Sequence, residues 1–469
     1  MRKPHIIQIL SDEHSGLATG YAGDPNVRTP NMDRMTSEGL AFVNAYANCP
    51  VCTPSRGTIF SGRHAHSGPV QGFYDVYTAS APSIATLLND EGYQTAYIGK
   101  WHCGTVRDQN PPAVKADPDY YNHEWSQRTP EYHRAGFQDW LGCEMNNAPN
   151  QGFYYDRDAL NPTKLDGYQT DALTDLCIDY LSGYDGSKPL YLVLSIEPPH
   201  WPLEAPDSFL RIAPEDLQVR DNFGDRYGLR EKLAVYYAMI ENLDWNIGRL
   251  LDAIQELQAF SENTVFVYCS DHGDFMGSHD QMEDKGHPHE ESARVPVVLH
   301  GPGLIPPQGL RNDLFSLVDL VPTLLGFVGA IRPSFLQGRD FSDAVRGQPF
   351  EGPEDVLLEM VGNPHVHFDY VDWRGVVSRR WKYAFYETGH ELLFDLQNDP
   401  CELVNLAEKN PSVCEEMRGR LLVILREQSE PYFDVLIQHG VEPEGPCPNP
   451  SVRRRDGIAP YWNDLIRNV

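Results

Sequence analysis

The sequence predicts an α/β fold that contains a buried parallel sheet and ends in a smaller region of short strands. Three nearly continuous apolar runs are typical of strands covered on both faces, and they lie at 5–10, 190–196 and 264–269. Strong helical periodicity at 230–257 separates the last two runs, as expected where strands alternate with helices. Short strands follow from about Glu351, at 356–360, 375–385 and 391–396. We therefore predict a large domain over residues 1–350 and a C-terminal subdomain over residues 351–469.

The composition is that of a globular protein with a strongly acidic surface. Of 469 residues, 41% are hydrophobic and 22% are charged, which is ordinary for a soluble enzyme. The chain has 38 Lys+Arg against 67 Asp+Glu, a formal net charge of −29. This charge argues against a nucleic-acid partner, and it means that an anionic substrate must be captured by a local group of cations.

Cysteine usage and the N-terminus bear on localisation. The nine cysteines have no regular spacing and do not form a disulfide framework. The apolar run at 6–10 is too short for a secretory signal, and no stretch of the sequence is typical of a membrane span. We expect a cytoplasmic protein without a membrane partner as the sequence stands, or a periplasmic or secreted one if the N-terminus has been trimmed.

The stretch Cys49-Pro-Val-Cys52-Thr-Pro54-Ser-Arg56 is the main candidate for chemistry. An apolar strand at 40–47 precedes it, and Pro54 suits the first turn of a helix, which places Cys52 at a helix N-terminus. Free N–H groups there favour an anion on the side chain. A redox pair, half of a zinc site, and two cysteines buried as small apolar residues are the alternatives. The redox pair leaves Pro-Ser-Arg without a role, and the zinc site lacks a second Cys-x-x-Cys.

Cys52-Thr-Pro-Ser-Arg56 resembles the Cys-x-Pro-x-Arg signature of the type I sulfatases, which belong to the alkaline phosphatase superfamily. In that family a maturation enzyme oxidises the cysteine to Cα-formylglycine. The resemblance therefore implies this modification of Cys52, with a formylglycine-generating enzyme as a partner. The hydrated aldehyde offers one hydroxyl to attack the sulfur of a sulfate ester and another to expel the sulfate. Arg56, one helical turn later, is expected to hold the developing negative charge.

Polar residues after other predicted strands match further sulfatase segments. Gly-Lys100-Trp-His102 is similar to the second sulfatase signature, in which the lysine contacts the sulfate and the histidine helps to discharge the intermediate. His200, in a Pro-His-x-Pro setting, corresponds to the histidine near the leaving oxygen, and an ordinary histidine pKa of about 6.5 suits proton donation. Lys285, nine residues before Arg-Val-Pro, corresponds to the second lysine on the sulfate. Taken singly, each would be an ordinary structural or solvated side chain.

Acidic residues at two strand ends are candidate metal ligands. By position alone Asp12 is more commonly a loop or capping aspartate, but the family carries an acidic ligand after its first strand. The resemblance implies a divalent cation held by Asp12, Asp271, His272 and oxidised Cys52, with Asp271 also accepting a proton. Glu13 stands where many members have a second aspartate, so its place among the ligands is left open. Carboxylate ligands make Ca²⁺ the first expectation, and the nitrogen of His272 keeps Mn²⁺ or Mg²⁺ as alternatives.

Two other segments carry weaker expectations. Residues 105–163 lose periodicity and are expected to form loops that shape the substrate pocket, with a surface elaboration without a role in binding as the alternative. His64 and His66, which follow the signature helix at two-residue spacing, are expected to order their loop rather than to bind metal.

The resemblance extends from Pro4 to about Leu425. It implies an alkaline-phosphatase-like fold, with a large mixed sheet flanked by helices and a smaller C-terminal antiparallel sheet. It also implies a sulfuric ester hydrolase, and the Tyr- and Trp-rich loops favour a sulfated carbohydrate over another small sulfate ester. A rival is a phosphonate monoester or phosphodiester hydrolase, because His272 replaces the asparagine of many sulfatases and occurs in choline sulfatases and phosphonate monoester hydrolases. The third hypothesis is a catalytically silent anion-binding protein in which Cys52 stays a thiol.

Overall fold

The computed structural model describes residues 3–72, 75–104, 128–157, 159–224, 228–280, 285–361 and 371–441. These residues form a ten-stranded sheet and a four-stranded sheet. The prediction of an α/β fold with a large mixed sheet flanked by helices and a small C-terminal antiparallel sheet is confirmed. Within these ranges, no helix combines the length and the apolar character needed to cross a bilayer.

The strands of the large sheet are β1 (His5–Ser11), β2 (Leu40–Tyr46), β3 (Gln94–Lys100), β4 (Asp139–Cys143), β5 (Phe153–Asp156), β6 (Thr163–Lys164), β7 (Leu190–Ser195), β8 (Thr264–Ser270), β9 (Val297–His300) and β10 (Gly309–Ser316). The strands of the small sheet are β11 (Asp355–Met360), β12 (Trp373–Ser378), β13 (Trp381–Tyr386) and β14 (Glu391–Asp395). The helices are α1 (Pro30–Glu38), α2 (Cys52–Ser61), α3 (Ile84–Asp90), α4 (Gln169–Ser182), α5 (Leu229–Glu256), α6 (Glu290–Ala293), α7 (Leu320–Phe327), α8 (Ser342–Val345), α9 (Pro411–Glu427) and α10 (Tyr432–Gln438).

Strand β1 lies near the middle of the large sheet and pairs in parallel with β7 on one side and β8 on the other. Every residue of these three strands is buried, which explains why their sequences are continuous apolar runs. The full order is β10-β2-β9-β8-β1-β7-β3-β4-β5-β6. Strand β9 is antiparallel to both of its neighbours, so the sheet is mixed.

Helices cover both faces of this sheet. Ile6 of β1 belongs to the apolar cluster that includes α2, α3 and α7, whereas Ile7 belongs to the cluster that includes α1, α4 and α5. Successive residues of a strand point to opposite faces, so one strand contributes to both clusters. The polar residues that follow β1, β3, β7 and β8 all leave the sheet at one edge, because Ser11 pairs with Ser270 and Gly99 pairs with Ser195.

The small sheet is an antiparallel meander of β11 to β14, covered by α9. The predicted strand at 375–385 is wrong, because the chain forms two strands there, joined by a turn at Arg379 and Arg380. The loop prediction for 105–163 is also wrong in part, because β4 and β5 lie within it; residues 105–127 lie outside the described ranges. The domain boundary at residue 350 stays a prediction.

Candidate active site

Cys52 is the first residue of helix α2, as the sequence predicts. Val51 precedes the helix in an extended conformation, and all ten residues of α2 are buried. Pro54 lies in the first turn, where its missing N–H costs no hydrogen bond. The Cys52 side chain therefore sits where the free N–H groups and the helix dipole stabilise negative charge.

Arg56 ties helix α2 to the strand ends around it. Its Nε donates to Asp271 Oδ2 at 2.8 Å, and its Nη2 donates to Asp12 Oδ2 at 3.3 Å. Its Nη1 donates to the Lys100 carbonyl at 3.0 Å and to Ser195 Oγ at 2.9 Å. These bonds use four of the five guanidinium N–H groups, so at most one is left for a bound anion. Arg56 therefore mainly orients the two aspartates.

Three basic side chains converge on the Cys52 sulfur. His272 Nε2 lies 3.1 Å from Cys52 Sγ, Lys285 Nζ lies 3.6 Å away, and the His102 ring also lies near enough to lower the pKa of the thiol. Burial raises the pKa of the Cys52 thiol, but Lys285, His272 and Lys100 more than offset this, so that its pKa lies well below the usual value. A thiolate is the form of cysteine that is most readily oxidised.

Carboxylates balance these cations. The Lys100 ammonium group contacts Asp12 Oδ2, and the Lys285 ammonium group contacts Glu13 Oε1. Burial and the Cys52 thiolate raise the pKa of Asp12, but Lys100, His200 and Arg56 together hold it well below its usual value. Burial and the Asp12 charge raise the pKa of Asp271 to about 6. The pair thus combines one strongly ionised carboxylate with one that binds a proton more readily.

His200 lies on the loop after β7 and faces the charged side chains around Cys52. Its Nδ1 lies 2.6 Å from the Trp201 carbonyl and donates to it, so Nε2 points toward the centre of the site. That Nε2 lies 3.3 Å from Glu13 Oε1 and 3.4 Å from Lys285 Nζ. Burial lowers the pKa of His200, but the Glu13 charge more than offsets this and the net shift is upward.

The donors present fit a divalent cation. Asp12, Glu13, Cys52 and His272 each offer one ligand atom, and these four atoms lie within 4.8 Å of one another in a fully buried group. His272 Nδ1 donates to the Gly273 carbonyl at 2.8 Å, which turns Nε2 toward the group, as is usual for metal-binding histidines. Asp271 lies beside them, with Oδ1 at 3.8 Å from His272 Nε2.

The predicted site residues therefore lie together at the edge of the sheet where β1, β3, β7 and β8 end. The residues that the structure brings together are Asp12, Glu13, Cys52, Arg56, Lys100, His102, His200, Asp271, His272 and Lys285. Glu13, which the sequence leaves open, lies inside the candidate ligand group, whereas Asp271 lies next to it.

Two serines of the site are missed by sequence reasoning. Ser195, the last residue of β7, accepts a hydrogen bond from Arg56, and Ser55 donates to the Asp271 carbonyl at 2.5 Å. A serine at a strand end or in a helix gives no local signal of such a role. Only the register of β7 against β3 could have indicated that Ser195 faces the signature helix.

His66 lies apart from the active site, in contact with a carboxylate of the small sheet. Its Nδ1 contacts Glu359 Oε2 at 2.7 Å, which links the loop after α2 to strand β11. His66 and Glu359 form a second buried cluster together with Arg374 and Glu430. In this cluster Arg374 Nη2 lies 2.9 Å from Glu430 Oε1.

Comparison with known proteins places the chain in one family. The family model described as Sulfatase matches residues 4–330, and the model described as N-sulphoglucosamine sulphohydrolase, C-terminal, matches residues 277–428. The ulvan-active sulfatase of Formosa agariphila is 32% identical over 87% of this chain and 78% of its own length. The N-acetylglucosamine-6-O-sulfatase of Bacteroides thetaiotaomicron is 24% identical over 92% of this chain and 87% of its own.

A solved structure associated with the metabolism of multiple glycosaminoglycans by Bacteroides thetaiotaomicron superposes with a TM-score of 0.84. It is 25% identical and covers 96% of this chain and all of its own. The match of the Sulfatase model over more than half of the chain, together with a relative above 30% identity, is decisive. The chain belongs to the sulfatase family.

Proposed function

We propose that this protein hydrolyses a sulfate ester of a carbohydrate, using an oxidised Cys52 and one divalent cation. In the overall reaction, one water molecule and the ester give the free alcohol and inorganic sulfate, and the bond between sulfur and the leaving oxygen is broken. The single observation that carries the proposal is the burial of Cys52 Sγ among His272, Lys285 and Asp12, at 3.1, 3.6 and 3.6 Å.

The two lysines and Arg56 have different roles in this proposal. Lys100 is the last residue of β3 and Lys285 lies on the loop before α6; both lower the pKa of Cys52, and both would bind the sulfate oxygens. Arg56 fixes Asp12 and Asp271 and adds positive charge beneath the sulfate. Preorganised cations of this kind stabilise the charge of the transferring group without rearranging during the reaction.

Two histidines are placed for proton transfer. His200 Nε2 points into the site, and we assign it the donation of a proton to the leaving oxygen as the sulfur–oxygen bond breaks. His102 lies beside the Cys52 side chain and lowers the pKa of its thiol, and we assign it the removal of a proton from that side chain when sulfate is released. Asp271 would accept the proton lost at the start of the reaction, and the proton taken by each base returns to solvent.

Two further components complete the proposal. The divalent cation would be held by Asp12, Glu13 and His272 with the oxidised Cys52, and Asp271 beside them would be a further ligand. When bound, the cation supplies positive charge that polarises the sulfate. A formylglycine-generating enzyme would convert Cys52, and the hydrated aldehyde supplies the attacking oxygen and the means of releasing sulfate. Oxygen donors favour Ca²⁺, and His272 keeps Mn²⁺ or Mg²⁺ as alternatives.

A carbohydrate is the substrate class that we favour. The names of the relatives concern ulvan, N-acetylglucosamine and glycosaminoglycans. Trp201, next to His200, is 51% exposed, and a flat aromatic surface beside the proton donor suits the apolar face of a sugar ring.

The test is sulfate release from a panel of sulfated monosaccharides and disaccharides, choline sulfate and an aryl phosphonate monoester. The protein would be produced together with a formylglycine-generating enzyme and supplied with Ca²⁺. We expect the highest kcat/KM on one of the sulfated sugars. A higher kcat/KM on the phosphonate ester would overturn the proposal in favour of a phosphonate hydrolase, and one on choline sulfate would overturn the choice of substrate class.

A further inference from the structure

Gly286, the residue that follows Lys285, is held by hydrogen bonds at both its N–H and its carbonyl. The Gly286 N–H donates to the Pro50 carbonyl at 3.0 Å, and the Gly286 carbonyl accepts from the indole N–H of Trp373 at 2.8 Å. Gly286 has a φ of +80°, a conformation that side chains other than glycine rarely adopt. One glycine thus connects the loop that carries Lys285 to the loop that leads to Cys52 and to the C-terminal sheet.

Trp373 is rigid enough to act as an anchor. It is the first residue of β12 and is 1% exposed. It belongs to a buried apolar cluster that also contains Cys49 and Val51, which precede Cys52, and Val356 and Leu358 of β11. The indole therefore cannot move without disturbing both the C-terminal sheet and the loop before the nucleophile helix.

A second connection lies at the other end of the same loop. Lys382 of β13 bridges Glu290 Oε1 at 2.6 Å and Glu402 Oε1 at 2.8 Å, and Glu402 Oε2 accepts from the Glu290 N–H at 2.8 Å. All three side chains are buried. Removing one partner of a buried ion pair leaves a charge without compensation, so this connection resists opening. The loop from Lys285 to Glu290 is thus fixed to the C-terminal sheet at both ends.

We propose that Trp373 is a positioning residue, which sets the distance between Lys285 and the Cys52 side chain through its hydrogen bond to Gly286. The inference rests on the proposed role of Lys285 in binding sulfate. Lys285 Nζ lies 3.6 Å from Cys52 Sγ, and a cation must be held to within a fraction of an ångström to favour one anion geometry. The C-terminal sheet contributes in this way to the catalytic site, although Trp373 itself touches none of the reacting groups.

The test is Trp373→Phe, which keeps an aromatic ring in the cluster and removes the N–H. The kinetic constants for an aryl sulfate and the affinity for inorganic sulfate, measured by calorimetry, are the readouts. We expect KM and the dissociation constant of sulfate to rise about 3- to 10-fold, as the loss of one hydrogen bond predicts, with a smaller change in kcat. Trp381→Phe in the neighbouring strand is the matched control, and it should leave all three constants unchanged.

A double-mutant cycle separates positioning from general damage. If the Trp373 hydrogen bond acts through Lys285, as proposed, Trp373→Phe should have no further effect on sulfate affinity in a Lys285→Ala background. If Trp373→Phe lowers the folding yield, Glu402→Gln offers a second way to loosen the loop. It should also raise KM and the dissociation constant of sulfate, and this rise should likewise be absent in a Lys285→Ala background.

Two kinds of outcome overturn the inference, and they are distinguishable. Wild-type kinetics and sulfate affinity in Trp373→Phe, or an equal loss with and without Lys285, overturn the positioning role alone, because the wild-type protein still hydrolyses sulfate esters. A wild-type protein that neither hydrolyses sulfate esters nor binds sulfate overturns the proposed function, and the positioning role falls with it.

Discussion

Two buried clusters of this chain both combine carboxylates, an arginine and a histidine, but they differ in what they surround. The catalytic cluster consists of Asp12, Cys52, Arg56, Lys100, Asp271 and His272, and the joining cluster consists of His66, Glu359, Arg374 and Glu430. In the joining cluster every carboxylate contacts a cation. The backbone N–H of Tyr432 also donates a hydrogen bond to Glu430 Oε2 at 2.6 Å. In the catalytic cluster the charges converge on one sulfur atom at the edge of a parallel sheet.

The difference shows that burial and residue type do not by themselves indicate chemistry. Both clusters include a group of histidine and acidic side chains whose spacing would suit a metal ion. Only the first lies at the carboxyl ends of parallel strands, where ligands of open α/β sheets collect. We therefore expect changes in the catalytic cluster to remove activity and changes in the joining cluster to lower stability.

The largest expected effect follows from Cys52→Ala. We expect kcat/KM on an aryl sulfate to fall by at least about 10⁴-fold, because the residue that we propose to form the nucleophile is gone. Circular dichroism should show an unchanged fold. Cys177→Ala, at another fully buried cysteine, is the matched control and should retain activity within a few-fold. Comparable rates for the two variants would remove Cys52 from the mechanism.

Removal of the divalent cation should have the next largest effect. Prolonged treatment with a chelator is expected to lower activity by about 10²-fold or more, because no cation is then present to polarise the bound sulfate. The melting temperature should fall as well, since a ligand present at about 100 times its Kd stabilises the folded state by about 2.7 kcal/mol. Addition of Ca²⁺ or Mn²⁺ should restore both. Full activity after complete metal removal, verified by elemental analysis, would contradict the proposed metal site.

Arg56→Met should damage both activity and stability. The change leaves Asp12 and Asp271 buried without their shared cation, which costs about 3–5 kcal/mol. Chemical denaturation measures this loss, and assays on the folded fraction measure the accompanying loss of activity. A stable Arg56→Met variant would show that Lys100 and His272 are sufficient to compensate the two carboxylates.

Glu359→Gln, in the joining cluster, should lower stability while leaving activity nearly unchanged, which is the opposite of the result expected for the catalytic cluster. Burial raises the pKa of Glu359, but His66 and Arg374 more than offset this and lower it from 4.5 to about 2. A depressed carboxyl pKa contributes stability that is present above about pH 4.5 and is lost as the pH falls toward 2, here about 3 kcal/mol. Denaturation at pH 6.5 should show that deficit in the variant, and the deficit should shrink at pH 3.5. Activity at pH 6.5 should stay within about twofold; a large loss there would mean that the two clusters are coupled.

The smallest expected effect concerns Ser195. Ser195→Ala removes one hydrogen bond from Arg56 Nη1 and should cost about 1 kcal/mol of stability, with a fall of about fivefold in kcat/KM. The aspartates keep their remaining bonds to Arg56, so the site should stay assembled. A loss as large as that of Arg56→Met would mean that Ser195 contacts the substrate directly.

Local sequence pattern was sufficient for the centre of the sheet but not for its edges. Strands β1, β7 and β8 are predictable because both faces are buried and the sequence is continuously apolar. Strand β10 lies at the edge, alternates half-buried and exposed residues over its first half, and includes Arg311 and Asp313, so its sequence gives no comparable signal. Strands β12 and β13 were merged because the turn at Arg379 and Arg380 contains neither glycine nor proline.

The candidate site was predictable only in part, for a similar reason. The predicted residues follow strand ends, and parallel strands bring such residues together whatever their separation in sequence. The contacts within the group depend on side-chain reach across the fold. Glu13 meets Lys285, 272 residues later, and Ser195 meets Arg56, 139 residues earlier. No local pattern encodes these distances, which is why the ligand role of Glu13 was left open and Ser195 was missed.

The most direct test of the central claim is the mass of the Cys52 peptide in a preparation that hydrolyses sulfate esters. Protein produced together with a formylglycine-generating enzyme would be digested and the peptide analysed by mass spectrometry. We predict a peptide in which an aldehyde has replaced the CH₂–SH group, in proportion to the specific activity. A preparation that is fully active while Cys52 remains an unmodified thiol would contradict the account.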